Sequence, residues 1–252
     1  MLTQLLIDIG NTRLKWVLMR DDIILAGGRW AHHGENNLAL SQIAITESPD
    51  QIIVSNVADN KFTSETDSWA SDRFSLAVHH VNVPHKGDGI ENAYTVAEDL
   101  GADRWATLVA CHRLYSADVC IVDAGSALTI DLLTAKGVHL GGYILPGINS
   151  MRQALLRDTS LQSELKADRN VTQEPGKSTL QGINNGSLLA ICQTIESIVN
   201  TFDNETKQKI QCVLTGGDSN KLSANLSISH IIEPSLVLQG LAIIGQRLVQ
   251  TP

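Results

Sequence analysis

The sequence states one local pattern twice. Asp8-Ile9-Gly10-Asn11-Thr12 follows the apolar run Leu5-Leu6-Ile7, and Asp123-Ala124-Gly125-Ser126-Ala127 follows Val119-Cys120-Ile121-Val122. Each copy passes from aspartate to glycine and on to a hydroxyl. Each then enters a second apolar run, Trp16-Val17-Leu18-Met19 or Leu128-Thr129-Ile130. The pattern predicts two strand–turn–strand hairpins. Glycine lets backbone N–H groups come close to an anion, the hydroxyls add donors, and the aspartate can hold a cation or orient water. Two such hairpins facing each other can hold a nucleoside triphosphate between two halves. A single copy reads equally well as an ordinary hairpin with an Asp-Gly-type turn. The matched pair in the same strand context favours the ligand-binding reading.

The elements around the hairpins repeat as well. Strands are expected at about 4–9, 15–20, 22–26, 51–57 and 75–83, with helices near 36–45, 60–73, 91–99 and 103–115 and a loop from Pro84 to Gly89. The second half reopens with strands near 118–123, 127–133 and 138–145 and a helix from about Ile148. A polar surface segment is expected over 158–176. A long helix follows over 178–203, striped by Leu180, Ile183, Leu188, Ile191, Ile195 and Ile198. Strands near 210–215 and 228–232 and a terminal helix from Ser235 complete the chain. The order implies an α/β fold of two mixed-sheet halves, 1–115 and 116–252, with a cleft between them. The terminal helix is free to pack back on the first half.

Composition narrows the function class. A formal net charge of −8 over 252 residues leaves no basic stripe for a nucleic-acid backbone. No run of about 18 apolar residues predicts a membrane span, and the N-terminus lacks the pattern of a signal peptide. Cys111, Cys120, Cys192 and Cys212 show no C-x-x-C spacing, so buried free thiols in a reducing cytoplasm are expected. The pairs His32-His33 and His79-His80 point to opposite faces of a strand and make no ready metal site.

The residues then become specific. Asp8-Ile9-Gly10-Asn11-Thr12 with Lys15, Gly101-Ala102-Asp103-Arg104, Asp123-Ala124-Gly125-Ser126 and Thr215-Gly216-Gly217-Asp218 occur in that order. Gly141 to Gly147 and Leu236 to Ala242 fall between and after them. Together they resemble the type III pantothenate kinase family over essentially the whole chain. The Gly-Ala-Asp-Arg segment narrows the resemblance from the wider acetate-and-sugar-kinase, heat-shock-70 and actin superfamily. The resemblance implies a duplicated actin-like (ribonuclease H-like) ATPase fold. It implies ATP-dependent phosphorylation of pantothenate to 4'-phosphopantothenate, the first step of coenzyme A synthesis. It also implies Mg2+, a monovalent cation (K+ or NH4+), a homodimer and a cytoplasmic location.

By the same resemblance Asp103 is the base that takes the hydroxyl proton; read alone, it is also a good helix N-cap. Arg104 corresponds to a substrate-binding residue suited to a carboxylate, beside the small residues Gly101 and Ala102. Tyr94 matches a pocket tyrosine, or else a core residue of an amphipathic helix. Asp8, Ile9, Gly10, Asn11, Thr12, Arg13, Leu14 and Lys15 correspond to the first ATP-phosphate segment, with Asp8 orienting Mg2+ through water. Asp123 matches the monovalent-cation ligand and Ser126 a phosphate donor. Asp131, further along that hairpin, equally reads as an outward-facing strand residue. Thr215–Asp218 is expected to link a strand to a helix whose N-terminus faces the nucleotide. Gly176-Lys177-Ser178 is no P-loop, because the upstream glycine position holds Val171 and no strand precedes it. Thr179 corresponds to a substrate-pocket threonine donated across a dimer interface; alternatively Ser178 simply caps a helix. Two other functions keep the fold: a kinase for another small hydroxylated acceptor, or a non-catalytic regulatory relative.

Overall fold

The computed structural model describes residues 1–32, 37–157, 171–207 and 209–250. It divides into two compact units, described separately. The first comprises Met1–Leu114, Lys136–Val138 and Ser235–Pro252, and the second Tyr115–Ala135 and His139–Pro234.

The first unit opens with β1 (Thr3–Ile9), β2 (Arg13–Arg20) and β3 (Ile23–Ala31), an antiparallel meander. After β4 (Gln51–Asn56), α1 (Lys61–Phe74) and β5 (Val78–His80), the sheet has the order β3-β2-β1-β4-β5, with β4 and β5 parallel to β1. Every residue of β1 is buried, as expected for a central strand covered on both faces. One face carries Leu5, Ile7, Ile9, Leu14, Trp16, Leu18, Ile52 and Val54, packed with Phe62 and Ala70 of α1. The opposite face carries Leu6, Asp8, Ile53 and Ser55, and is covered by α2 (Ala102–Leu114) and α6 (Leu236–Gln250).

Between α1 and α2 a two-strand hairpin forms from β6 (Lys86–Gly87) and β7 (Ile90–Glu91). The expected helix over 91–99 is absent; only a 3-10 turn at Ala97–Asp99 is helical. Asn92 explains this. Its buried side chain accepts from Tyr94 N (3.0 Å) and donates to Pro84 O and Ala97 O, so side chain and turn replace the helical ladder. The expected helix at 36–45 likewise reduces to a 3-10 turn at Leu40–Gln42. There the Asn37 side chain captures the Ala39 amide, and Ala39 adopts a left-handed φ of 52°. Residues 33–36 of that reading, including His33, lie outside the described residues. The strand expected over 75–83 is confined to Val78–His80.

The second unit repeats the plan with β8 (Val119–Ala124), β9 (Ala127–Leu133), β10 (His139–Pro146), β11 (Gln211–Thr215) and β12 (His230–Ile232), in the order β10-β9-β8-β11-β12. Its core joins Cys120, Val122, Leu128, Ile130 and Leu214 to Ile148 of α3 (Ile148–Arg157). It also takes in Leu188, Ile191, Ile195 and Phe202 of α4 (Thr179–Thr206). The polar segment expected at 158–176 falls largely on residues 158–170, outside the described residues. Asp131 does not face solvent: it is 1% exposed and bonds His139 at 3.0 Å. All four cysteines are buried and free of disulfides, and burial pushes the Cys192 thiol up to about 11. No helix among the described residues is long and apolar enough to cross a membrane.

Two predictions follow from the packing of α6 in the first unit. A Cβ on Gly240 would stand 1.9 Å from Ala106 O, so glycine is what lets the α6 and α2 backbones meet. Gly240→Ala is expected to destabilise the fold by about 1–3 kcal/mol or more, read as a lower denaturation midpoint at unchanged m-value. Arg247 of α6 pairs with Asp88 (2.5 Å), whose buried carboxyl lies above its ordinary pKa. Desolvation outweighs the opposing pull of Arg247 and Trp105. Holding that carboxyl charged therefore costs stability above its folded pKa, and the cost disappears as pH falls through it. Asp88→Asn is expected to compare best with the parent near neutral pH and to lose ground on acidification, in melts taken from pH 7 to 4.

Candidate active site

The β1–β2 turn is closed by Gly10 N donating to Arg13 O (3.0 Å), and the β8–β9 turn by Gly125 N donating to Ala127 O (2.9 Å). Both glycine amides are thus engaged in their own hairpins. What the glycines leave is space: a Cβ on Gly10 would meet only Arg13 O, at 3.4 Å. Asn11 is exposed at the tip, Thr12 half-buried and Arg13 exposed. Ile9 and Leu14 are fully buried in the apolar core, so only their backbones can meet a ligand. A residue missed in the sequence holds this turn. His32, 1% exposed, donates its backbone N–H to Thr12 O (3.0 Å), and its Nε2 bonds Gly10 O (2.7 Å). Its signal, a histidine directly after an antiparallel partner strand, is visible only once that strand is registered.

Register places Asp8 opposite Lys15 on β2 and Ser55 on β4. Adjacent residues in a sheet point to one face, so Lys15, Asp8 and Ser55 form a row across three strands. The ladder continues beyond β4, with Val57 N donating to Ile9 O (3.0 Å). Val57 in turn lies against Gly101, the residue before α2: a Cβ there would stand 3.4 Å from Val57 Cγ1 and 2.6 Å from Asp103 Oδ1. Glycine at 101 is what admits the Asp103 carboxylate. Asp103 is not the cap residue but the second residue of α2, half-buried, with Oδ1 accepting from Arg104 N (2.7 Å).

Arg104 is 5% exposed, and its Nη1 donates to Tyr94 Oη (2.7 Å), with Cζ 5.4 Å from the Tyr94 ring centroid. Tyr94 sits in the Asn92 turn rather than on a helix. In the first unit Asp8 and Lys15 are neighbours by register, Tyr94 and Arg104 are bonded, and Gly101 with Asp103 lies against Val57 just past the end of β4, at the carboxyl end of the parallel pair β1–β4, where open α/β sheets bind ligands.

The second unit has its own cluster. Asp123 lies in register with Thr129 and Thr215. Gly216 adopts φ +88°, and a Cβ there would stand 2.4 Å from Asp123 Oδ1 and 2.5 Å from Ala124 O. Asp218 N donates to Ala124 O (3.0 Å), tying Thr215–Asp218 to the hairpin. The helix after it, α5 (Ser219–Ser223), is a single short turn rather than a developed helix N-terminus. Ser126 is exposed, and its carbonyl accepts from Gly147 N and Ser150 Oγ. Ser178 caps α4, its hydroxyl accepting from Gln181 N (3.2 Å) while Gln181 reaches back to Lys177 N (2.9 Å). Thr179 is left exposed at the head of α4.

The two clusters differ in their donors. In the first, the Asp8 carboxylate is 7% exposed in register with a lysine, so it offers one charged oxygen group beside a fixed positive charge. In the second, a carboxylate, a main-chain carbonyl and two threonines give an all-oxygen set.

Comparison with known proteins agrees with these motifs. The family described as type III pantothenate kinase matches residues 4–201. A type III pantothenate kinase of Nitrosococcus oceani is 33% identical over 94% of this chain and 92% of its own length. Among solved structures, a protein described as a Baf family transcriptional activator from Campylobacter jejuni aligns with TM-score 0.65 at 22% identity, covering 98% of this chain and 99% of its own. An inorganic polyphosphate/ATP-glucomannokinase from Arthrobacter sp. strain KM aligns with TM-score 0.51 at 15% identity, covering 99% of this chain and 100% of its own. At those identities the two structures speak for the fold alone.

Proposed function

The chain belongs to the type III pantothenate kinase family, and on that premise we propose how its residues move a phosphoryl group from ATP to pantothenate. The enzyme phosphorylates pantothenate with ATP, opening coenzyme A synthesis, on a duplicated actin-like fold. The observation that carries the residue assignment is the first-unit constellation, in which Asp103 lies over Gly101 beside an Arg104–Tyr94 pair.

Asp103 takes the proton of the pantothenate primary hydroxyl. The hydroxyl oxygen forms its bond to the γ-phosphorus while the bond from that phosphorus to the bridging oxygen breaks, and ADP leaves with the electron pair. Arg104 receives the substrate carboxylate; its guanidinium is already oriented by the Tyr94 hydroxyl, so less freedom is lost on binding. Lys15 offsets charge on the phosphates, and Asp8 orients the water shell of the Mg2+ that accompanies ATP. The Gly10–Thr12 turn and Ser126 contact phosphate oxygens. Asp123, with the Ala124 carbonyl, would hold a monovalent cation, which would supply fixed positive charge.

A homodimer is part of the same reading. In the second unit a groove of about 880 Å³ runs between β10 and α4, lined by Leu132, Tyr143, Ile144, Ile198 and Phe202. Tyr143 and Ile144 are 51% and 63% exposed on β10, the edge strand of the second sheet, an apolar edge that suits cover by a second copy. Thr179 reaches the substrate from that copy. Unbonded cysteines suit a reducing cytoplasm.

The test is pantothenate phosphorylation with and without potassium. Asp103→Asn is expected to lower kcat by about 10²–10⁴-fold with ATP binding retained, and potassium removal to slow the parent. Tyr94→Phe is expected to raise the KM for pantothenate several-fold more than it lowers kcat. A different hydroxylated acceptor that outperforms pantothenate would overturn the assignment of the pocket. In light scattering the parent is expected at the mass of two chains, and Ile144→Asp at that of one.

A further inference from the structure

Ser55 is the one member of the Lys15–Asp8–Ser55 row with no assigned role. It is 0% exposed, and its Oγ makes no hydrogen bond to another protein group. A buried hydroxyl left so bears the full loss of its hydration. A helical serine recovers that loss by bonding the carbonyl one turn back, as Ser187 Oγ does to Ile183 O (2.8 Å). Ser55 has no such recourse, because in an extended strand no carbonyl lies one turn back and its own position is paired with Asp8 of β1. Nor does packing ask for oxygen there: Ile53, two residues earlier on the same face, is apolar and fully buried.

The position, in contrast, is informative. Ser55 stands one strand from Asp8, and adjacent strands lie about 4.8 Å apart. Two residues on along the same face, Val57 lies against Gly101 at the head of α2. Ser55 is therefore next to the aspartate of the first hairpin by register, and two residues before the position that meets the segment carrying Asp103.

We propose that Ser55 is a positioning residue for phosphoryl transfer, whose hydroxyl donates to the Asp8 carboxylate when the magnesium–nucleotide complex is bound. This rests on the reading of Asp8 as the residue that orients the metal's water. Free of ligand, the serine is a stored donor. With nucleotide present, it fixes which carboxylate oxygen faces the metal and which is tied to the protein. A hydrogen bond to a charged group is worth more than a neutral one, so the gain appears when Asp8 takes its working orientation.

The experiment compares the parent, Ser55→Ala, Ser55→Cys and Asp8→Asn by thermal melting without ligand and by calorimetric ADP binding with and without magnesium. Ser55→Ala is expected to melt at or above the parent, because it removes an unsatisfied buried group. Its magnesium-dependent ADP affinity is expected to fall about tenfold, the loss of one charge-assisted hydrogen bond. Magnesium-free ADP binding is expected to stay at the parent's level. Ser55→Cys keeps side-chain bulk but donates weakly, and is expected to show the same affinity loss. If either Ser55 variant binds magnesium–ADP as the parent does while Asp8→Asn does not, the inference fails and the reading of Asp8 stands. If Asp8→Asn itself leaves magnesium–ADP binding unchanged, the reading of Asp8 fails and the inference with it. A Ser55→Ala protein that melts lower and loses no affinity makes the hydroxyl a packing group and overturns the proposal.

Discussion

The parallel ladder between β1 and β4 is the interaction on which the chemistry of the first unit depends. It does not stop at the strand ends: Val57 N still bonds Ile9 O, carrying the pairing to where the Asp8 side chain emerges. Because strand side chains alternate, a slip of one residue would turn Asp8 into the α1-facing core and bring Ile7 or Ile9 to the α2 face. That slip is strongly opposed, since β1 is buried along its whole length and Leu5, Ile7 and Ile9 have an apolar face to fill. A hydrophobic demand on one face thus sets, within one residue, where the polar row on the other face stands.

The opposite face depends on close backbone approach. α2 begins at the Gly101 segment, and its position over β4 is shared with α6, whose Gly240 meets the Ala106 carbonyl. Sequence-distant residues 235–250 therefore help define the height of Asp103 above Val57. Gly101 acts locally in the same sense, because the space a Cβ would fill is held by the Asp103 carboxylate. Both positions are steric: a small residue is needed because something else occupies the volume.

Much of this was legible in the sequence, for identifiable reasons. The two hairpins showed because apolar runs of strand length flank a glycine turn, and the long helix α4 because its stripe recurs at helical spacing. Asp103 and Arg104 stand out as candidates because they belong to a contiguous four-residue motif. What escaped depends on tertiary partners. Helices expected near 36–45 and 91–99 were broken by Asn37 and Asn92, whose side chains take backbone partners of their own. Spacing alone does not distinguish such an asparagine from a solvated one. Tyr94 reads in the sequence as a pocket residue or a helix core residue, and its bond to Arg104 is not visible there, because it needs that turn. Asp131 reads equally as part of the hairpin's site or as an outward-facing strand residue, and only the strand carrying His139 shows it buried with a partner. Ser55, in an apolar strand, carried no signal before register set it beside Asp8.

The duplication also explains why two similar hairpins need not do the same work. Each closes its turn with the glycine amide, so neither relies on that amide for an anion. The difference lies in what register sets beside the aspartate. Asp8 stands between a lysine and a serine, Asp123 between two threonines. A row that contains its own cation sets an aspartate and a lysine in register, so in that reading it orients a hydrated metal while meeting phosphate charge with Lys15. A row of hydroxyls around a carboxylate has oxygen ligands and no competing positive charge, which is what a loosely held monovalent cation requires. In the reading proposed here, the divergence of function between the halves comes down to four residues, two on the strands beside each aspartate, and not to the hairpins that make the halves look alike.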